Sequence, residues 1–163
     1  MPIAEFAATA TLLQQQYLPQ FTFDANSTPT TASVAAIITK KAAEVSGILT
    51  SHGIAPDGID NAGEPISFQY LQDLVLVGTA AHVARAFGGH LTPDELIAQW
   101  RREWRDGLAA LRDPQLAKQV LADSKGLTTT DYVRTHVQVS GDVPTTAADV
   151  DVEDPDFLHG MDL

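Results

Sequence analysis

The residues of this chain best suited to chemistry form the run WRREWR at positions 100–105. Aromatic rings interleaved with guanidinium groups are the equipment of a nucleic-acid surface, where rings stack on bases and arginines meet phosphates. Helical spacing argues for something plainer. Trp100 and Trp104 fall on one face of a helix, while Arg101, Arg102 and Arg105 fall elsewhere, within reach of Asp94, Glu95, Glu103 or Asp106. A core anchor with a charged outer face is therefore expected, with Arg101 and Arg102 available for salt bridges. The same tryptophans and arginines would also serve as anchors against a partner subunit.

A second group is acidic. Asp149, Asp151, Glu153, Asp154 and Asp156 have the density of a calcium loop. Such a loop needs glycine at its sixth position and a bidentate glutamate at its twelfth, and those places hold Asp154 and Gly160. A solvated acidic segment is the better reading. The histidines, His52, His82, His90, His136 and His159, are scattered and form no HExxH pair. His82 sits in an apolar stretch, where a hydrogen-bonded core histidine is expected. The chain has no cysteine, which removes disulfides, thiolate zinc sites and cysteine nucleophiles. No phosphate-binding glycine loop or nucleophile elbow occurs. No catalytic residue, cofactor or metal is expected, and the chain does not read as an enzyme.

The charge is −11, unevenly spread: residues 1–120 hold 8 basic and 12 acidic side chains, residues 121–163 hold 2 and 9. Such a chain is repelled by phosphate backbones, so duplex recognition is not expected. Hydrophobic residues make up 44%, enough for a core, and aromatics 7%, so that core must be mostly aliphatic. Residues 1–17 lack a basic leader and contain Glu5, so no signal peptide is expected. The longest apolar stretch, between Asp73 and Arg85, is too short for a membrane span of ~20 residues and reads as a core helix.

Prolines and periodicity define the elements that position these groups. Residues 4–16 predict a first helix, ended at Leu18-Pro19. Asp24, Asn26 and Ser27 mark a turn. Over residues 31–51, Val34, Ile37, Ile38, Val45, Ile48 and Leu49 share one face, with Lys40, Lys41 and Glu44 turned away and Gly53 as the stop. Residues 67–87 are apolar almost all round, including Phe68, Tyr70, Val75 and Phe87, which predicts the central helix of a bundle. There, Gly78, Ala80 and Ala81 would let neighbours approach closely, and Gly88-Gly89 would end it. Thr92, Pro93 and Glu95 suggest a capping box opening the next helix. Its stripe is Leu96, Trp100, Trp104, Leu108 and Leu111; Gly107 would bend it, Pro114 would limit its first section, and a weaker continuation would run to about residue 122. Residues 132–139 alternate, with Tyr132, Val133, Val137 and Val139 suggesting a short strand. The expectation is a mainly α fold: a bundle of about four helices over residues 1–124, and an extended acidic arm over 125–163.

Three segments in order resemble the head-to-tail adaptor (connector or head-completion) proteins of long-tailed bacteriophages. They are TTASVAAIITKKAAEVSGILTSHGIAP (30–56), SFQYLQDLVLVGTAAHVARAF (67–87) and WRREWRDGLAALRDPQL (100–116). The last is similar to that family's aromatic-x-x-x-aromatic-x-x-Gly-Leu-x-x-Leu-Arg helix. The resemblance implies a structural virion protein made in the host cytoplasm and placed at the head–tail junction. It implies a homo-oligomeric ring, a dodecamer, that contacts the portal and a tail, stopper or tail-terminator protein while DNA passes through without specific binding. The long acidic arm beyond Ser140 departs from the family. It carries seven acids and no bases, yet ends in Phe157, Leu158, Met161 and Leu163, so two readings stand on composition: a permanently disordered tail, or one that docks, with acids on a basic surface and Phe157 and Leu158 in a pocket on an adjacent subunit, portal or tail component. The expected interface residues are thus Trp100, Arg101, Arg102, Trp104, Tyr132, Val137, Phe157, Leu158 and Met161. Two other classes remain: a free acidic protein acting as assembly chaperone or DNA mimic, and an enzyme whose site assembles only in space.

Overall fold

The computed structural model describes residues 5–88 and 91–125, all within the first of two units, Met1–Gly126 and Leu127–Leu163. The alternating stretch at Tyr132 and Val137, and the docking residues Phe157, Leu158 and Met161, lie outside the described residues.

The described chain is mainly helical, with α1 (Ala10–Gln16), α2 (Thr31–Ser51), α3 (Pro65–Phe87), α4 (Asp94–Arg112) and α5 (Pro114–Val120). A single 3-10 turn, Pro56–Gly58, precedes α3, and no strand occurs among the described residues. As its composition predicts, α3 is central and packs against α1, α2 and α4. Residues 74–81 are buried without a break, and Val75 is fully inaccessible. Exposure returns towards the ends, where Phe68 and Tyr70 are half-buried and Phe87 is exposed.

Helix ends follow local chemistry. Thr30 caps α2 by accepting from the Ser33 amide at 3.1 Å. At the other end Gly53 adopts φ 76°, so that its own amide reaches Thr50 O and that of Ile54 reaches Leu49 O. This is the paired Schellman exit that a left-handed glycine permits. Asp24 closes the preceding loop by accepting from the amides of Asn26 and Ser27, each at 2.7 Å.

Three expectations need correction. The first helix begins at Ala10, because Phe6 and Ala7 take positive φ and bend the chain so that Phe6 is buried. Thr92 does not cap α4; it is buried, and its hydroxyl accepts from Gln20 Nε2 at 2.9 Å, so α4 starts after Pro93 without a side-chain cap. Gly107 lies within an unbroken α4 and serves packing: a methyl group there would run into Leu74 Cδ1. As expected, Pro114 limits α4, and the continuation is the separate helix α5, because Asp113 accepts from the amides of Gln115 and Leu116 and Pro114 takes the first helical position.

The N-terminus of α3 is capped from far along the chain. Asp123 accepts from the amides of Ile66 at 2.7 Å and Ser67 at 2.8 Å, and from the Ser67 hydroxyl. Desolvation alone would raise this carboxyl, but the Ser67 hydroxyl and the surrounding amides outweigh it and hold its pKa below the usual carboxylate range. The sign follows: a depressed pKa stabilises the fold above about pH 4, and the contribution disappears as pH falls through the folded value. Asp123→Ala is therefore expected to lower the melting temperature at pH 7, with the gap to wild type closing in acid. A gap that is absent at pH 7, or constant down to pH 2, would contradict this role.

Candidate functional site

The α3–α4 seam is built on two glycines. A Cβ on Gly78 of α3 would stand 2.5–2.9 Å from three atoms of the Trp104 ring, so the indole lies directly on the helix backbone. Reciprocally, Leu74 of α3 packs onto Gly107 of α4. Trp100, Trp104, Leu108 and Leu111 are buried along this face, as their spacing predicts, and Leu96 is half-buried. Trp100 turns towards the end of α1, edge-on to Tyr17 with ring centres 5.9 Å apart. His52, at the end of α2, donates from Nε2 to Leu111 O at 2.8 Å and ties the C-terminal ends of α2 and α4 together.

A groove of about 430 Å³ opens on the α2 side of this seam, lined by Lys41, Gly78, Ala81, His82, Arg85, Ala86, Arg101 and Trp104. The Lys41 ammonium stands 4.7 Å above the Trp104 ring and 3.1 Å from Glu44 Oε1. It is not turned away, as helical periodicity suggests: its stem covers the indole, and its side chain is only 15% exposed. That ion pair is the only one among the described residues, so neither Arg85 nor Arg101 meets a carboxylate there. The expected pairing of the arginines with Asp94, Glu95, Glu103 or Asp106 does not form. Arg102 is exposed and lies off this groove.

His82 is not a core histidine. It lies on the open edge of α3, and desolvation, then the charges of Lys41, Lys40 and Arg85, push its pKa below the ordinary value, with Glu44 opposing.

A second groove, about 400 Å³, opens on the α1 side and has the opposite sign: Tyr17, Tyr70, Asp73, Leu74, Val77, Glu103, Asp106 and Gly107 line it. Arg101 and Glu103 face different grooves because two helical steps separate them by about 200°. Burial raises the pKa of Asp73 and of Tyr70; for Tyr17, burial acts together with the charges of Asp73 and Glu103. No cluster of three or more metal-ligating side chains occurs among the described residues, and no described helix is long and apolar enough to cross a membrane.

No family model, curated protein or solved structure matches this chain. The site must therefore be read from its own residues. Of the expected interface residues, the structure brings Arg101 and Trp104 together and sends Trp100 to the α1 side. Lys41, His82 and Arg85 carry no motif that marks them as site residues. Gly78, Ala81, His82 and Arg85 nevertheless have the i, i+3, i+4, i+7 spacing of one helix edge, a signal hidden by the apolar residues around them.

If the groove's cations act on His82, its NMR titration midpoint falls below 6.5, and Lys41→Met, which keeps the covering stem, moves it upward. Since the unfolded chain then binds this proton more readily, His82 makes stability rise with pH in the window below about 6.5. A midpoint unmoved by Lys41→Met would contradict the electrostatic coupling.

Proposed function

We propose that this chain is a structural virion protein, a head-to-tail adaptor that assembles with copies of itself into a ring between portal and tail and leaves a channel for DNA. One observation carries the reading. The three segments that resemble the adaptor family fall on the three long helices, the last running on into α5, and its second aromatic and its glycine are the positions where α4 packs on α3. The motif's intervening arginines are exposed and lack carboxylate partners among the described residues, which suits a surface that meets another subunit.

The charge supports the same role. At −11 overall, the protein repels a phosphate backbone, so a channel made of its copies would pass DNA without holding it. Portal and tail proteins are the partners this position requires, and the head–tail junction of the virion is the place.

Purified particles disrupted by mild denaturant should release this chain, and antibody labelling should place it at the head–tail junction. The isolated protein should sediment as a ring or assemble into one on the portal. A chain that is absent from particles and persists as a monomer bound to a DNA-binding protein would replace this reading with that of a free acidic mimic or chaperone.

A further inference from the structure

We propose that the basic groove of one copy receives the acidic arm of a second copy, residues 149–158, and that this contact links neighbours head to tail. The inference rests on the ring reading above and names the contact that would hold the ring.

The groove asks for an anion. Lys41, Arg85 and Arg101 line it, Lys40 adds its field at His82, and the two arginines meet no carboxylate among the described residues. Like charges gathered at the surface repel one another, and an incoming row of carboxylates relieves that repulsion while gaining charge-assisted hydrogen bonds. The floor, made by Gly78, Ala81 and the Trp104 ring, is apolar, with the ring lying on Gly78 and the Lys41 ammonium above it. Phe87, next in sequence to the groove residue Ala86, is 39% exposed, and Leu91 is 56% exposed.

The arm has the complementary charge. Asp149, Asp151, Glu153, Asp154 and Asp156 come first, with no base among them, and Phe157 and Leu158 follow directly. Carboxylates would meet Arg85 and Arg101, and the two apolar residues would cover Phe87 and Leu91. Residues 126–148 supply up to ~75 Å of chain at about 3.3 Å per residue, ample to span to a neighbouring subunit. A contact made by two different patches is heterologous, and repeated with a closing rotation it generates a ring. Nucleic acid is the other polyanion that could occupy a basic groove. The acidic balance of the whole chain favours the arm.

The chain has no native cysteine, so an introduced pair reports alone. Full-length protein carrying Ala86→Cys and Val152→Cys should, on mild oxidation, give a reducible ladder of dimers, trimers and higher species, which neither single substitution gives. Arg85→Glu with Arg101→Glu should abolish the ladder while circular dichroism stays helical. Neutralising the arm by Asp149→Asn, Asp151→Asn, Glu153→Gln, Asp154→Asn and Asp156→Asn should abolish it as well. A cross-linked closed monomer would overturn docking between copies. Rings that sediment normally without any ladder would overturn this contact and leave the ring standing. A monomer in sedimentation with no ladder would remove the ring reading itself. A labelled DNA duplex that binds wild-type protein but not the double arginine variant, again with no ladder, would reassign the groove to nucleic acid.

Discussion

The contact of the Trp104 ring with Gly78 fixes the geometry of everything around it. An indole can rest on a helix backbone only where there is no side chain, so α4 has one place to sit along α3. Leu74 on Gly107 repeats the arrangement about one helical turn away with the roles of the helices exchanged, which fixes the register at a second point. Two knobs set into two glycine holes give a close, directional seam in a core otherwise made of interchangeable aliphatic residues. The tryptophan is shared: one edge of its environment is the α3 backbone, and over its ring stands the Lys41 ammonium from α2. Three helices therefore meet at one side chain.

Electrostatic consequences follow from that register. With Trp104 and Leu108 turned inward, Arg101 is carried to the α2 side and Glu103 and Asp106 to the α1 side. On the α3 surface, Arg85 and His82 fall beside Arg101, and Asp73 falls beside Glu103. The result is a basic groove and an acidic groove flanking a single seam. Apart from Lys41 with Glu44, no ion pair neutralises either groove among the described residues. Exposure to water and salt makes such gatherings of like charge tolerable in the free protein, and it leaves them available to a partner of opposite sign.

Much of the fold is legible in the sequence, and what is not has a common cause. Periodicity is local, and it places α2, α3 and α4, the centrality of α3, the need for small residues at Gly78 and the inward stripe of Trp100, Trp104, Leu108 and Leu111. Contacts between distant segments leave no such trace. Asp123 caps a helix that begins 58 positions earlier, and no local pattern marks it as a cap. Thr92 has the surroundings of an N-cap, yet Gln20, 72 positions away, takes its hydroxyl. Lys41 reads as a solvent-facing lysine on its own helix and becomes a lid only when α4 brings Trp104 beneath it. His82 reads as a core residue because its neighbours are apolar, although the helix edge it shares with Arg85 faces out. The site is legible in the same measure: Arg101 and Trp104 come from one motif, while its other half needs three helices in place.

The central claim is that the α3–α4 seam exists because residue 78 has no side chain. Its most direct test compares two glycines of the same bundle by chemical denaturation. Gly47 lies inside α2, where a methyl group would meet no atom within 4 Å, so Gly47→Ala should stabilise the fold by up to about 1 kcal/mol through helix propensity alone. Gly78→Ala has the same propensity gain, but its methyl meets the Trp104 ring, and overpacking of about 1–3 kcal/mol should leave the variant less stable than wild type. A Gly78→Ala protein as stable as the Gly47→Ala protein would contradict the seam as described.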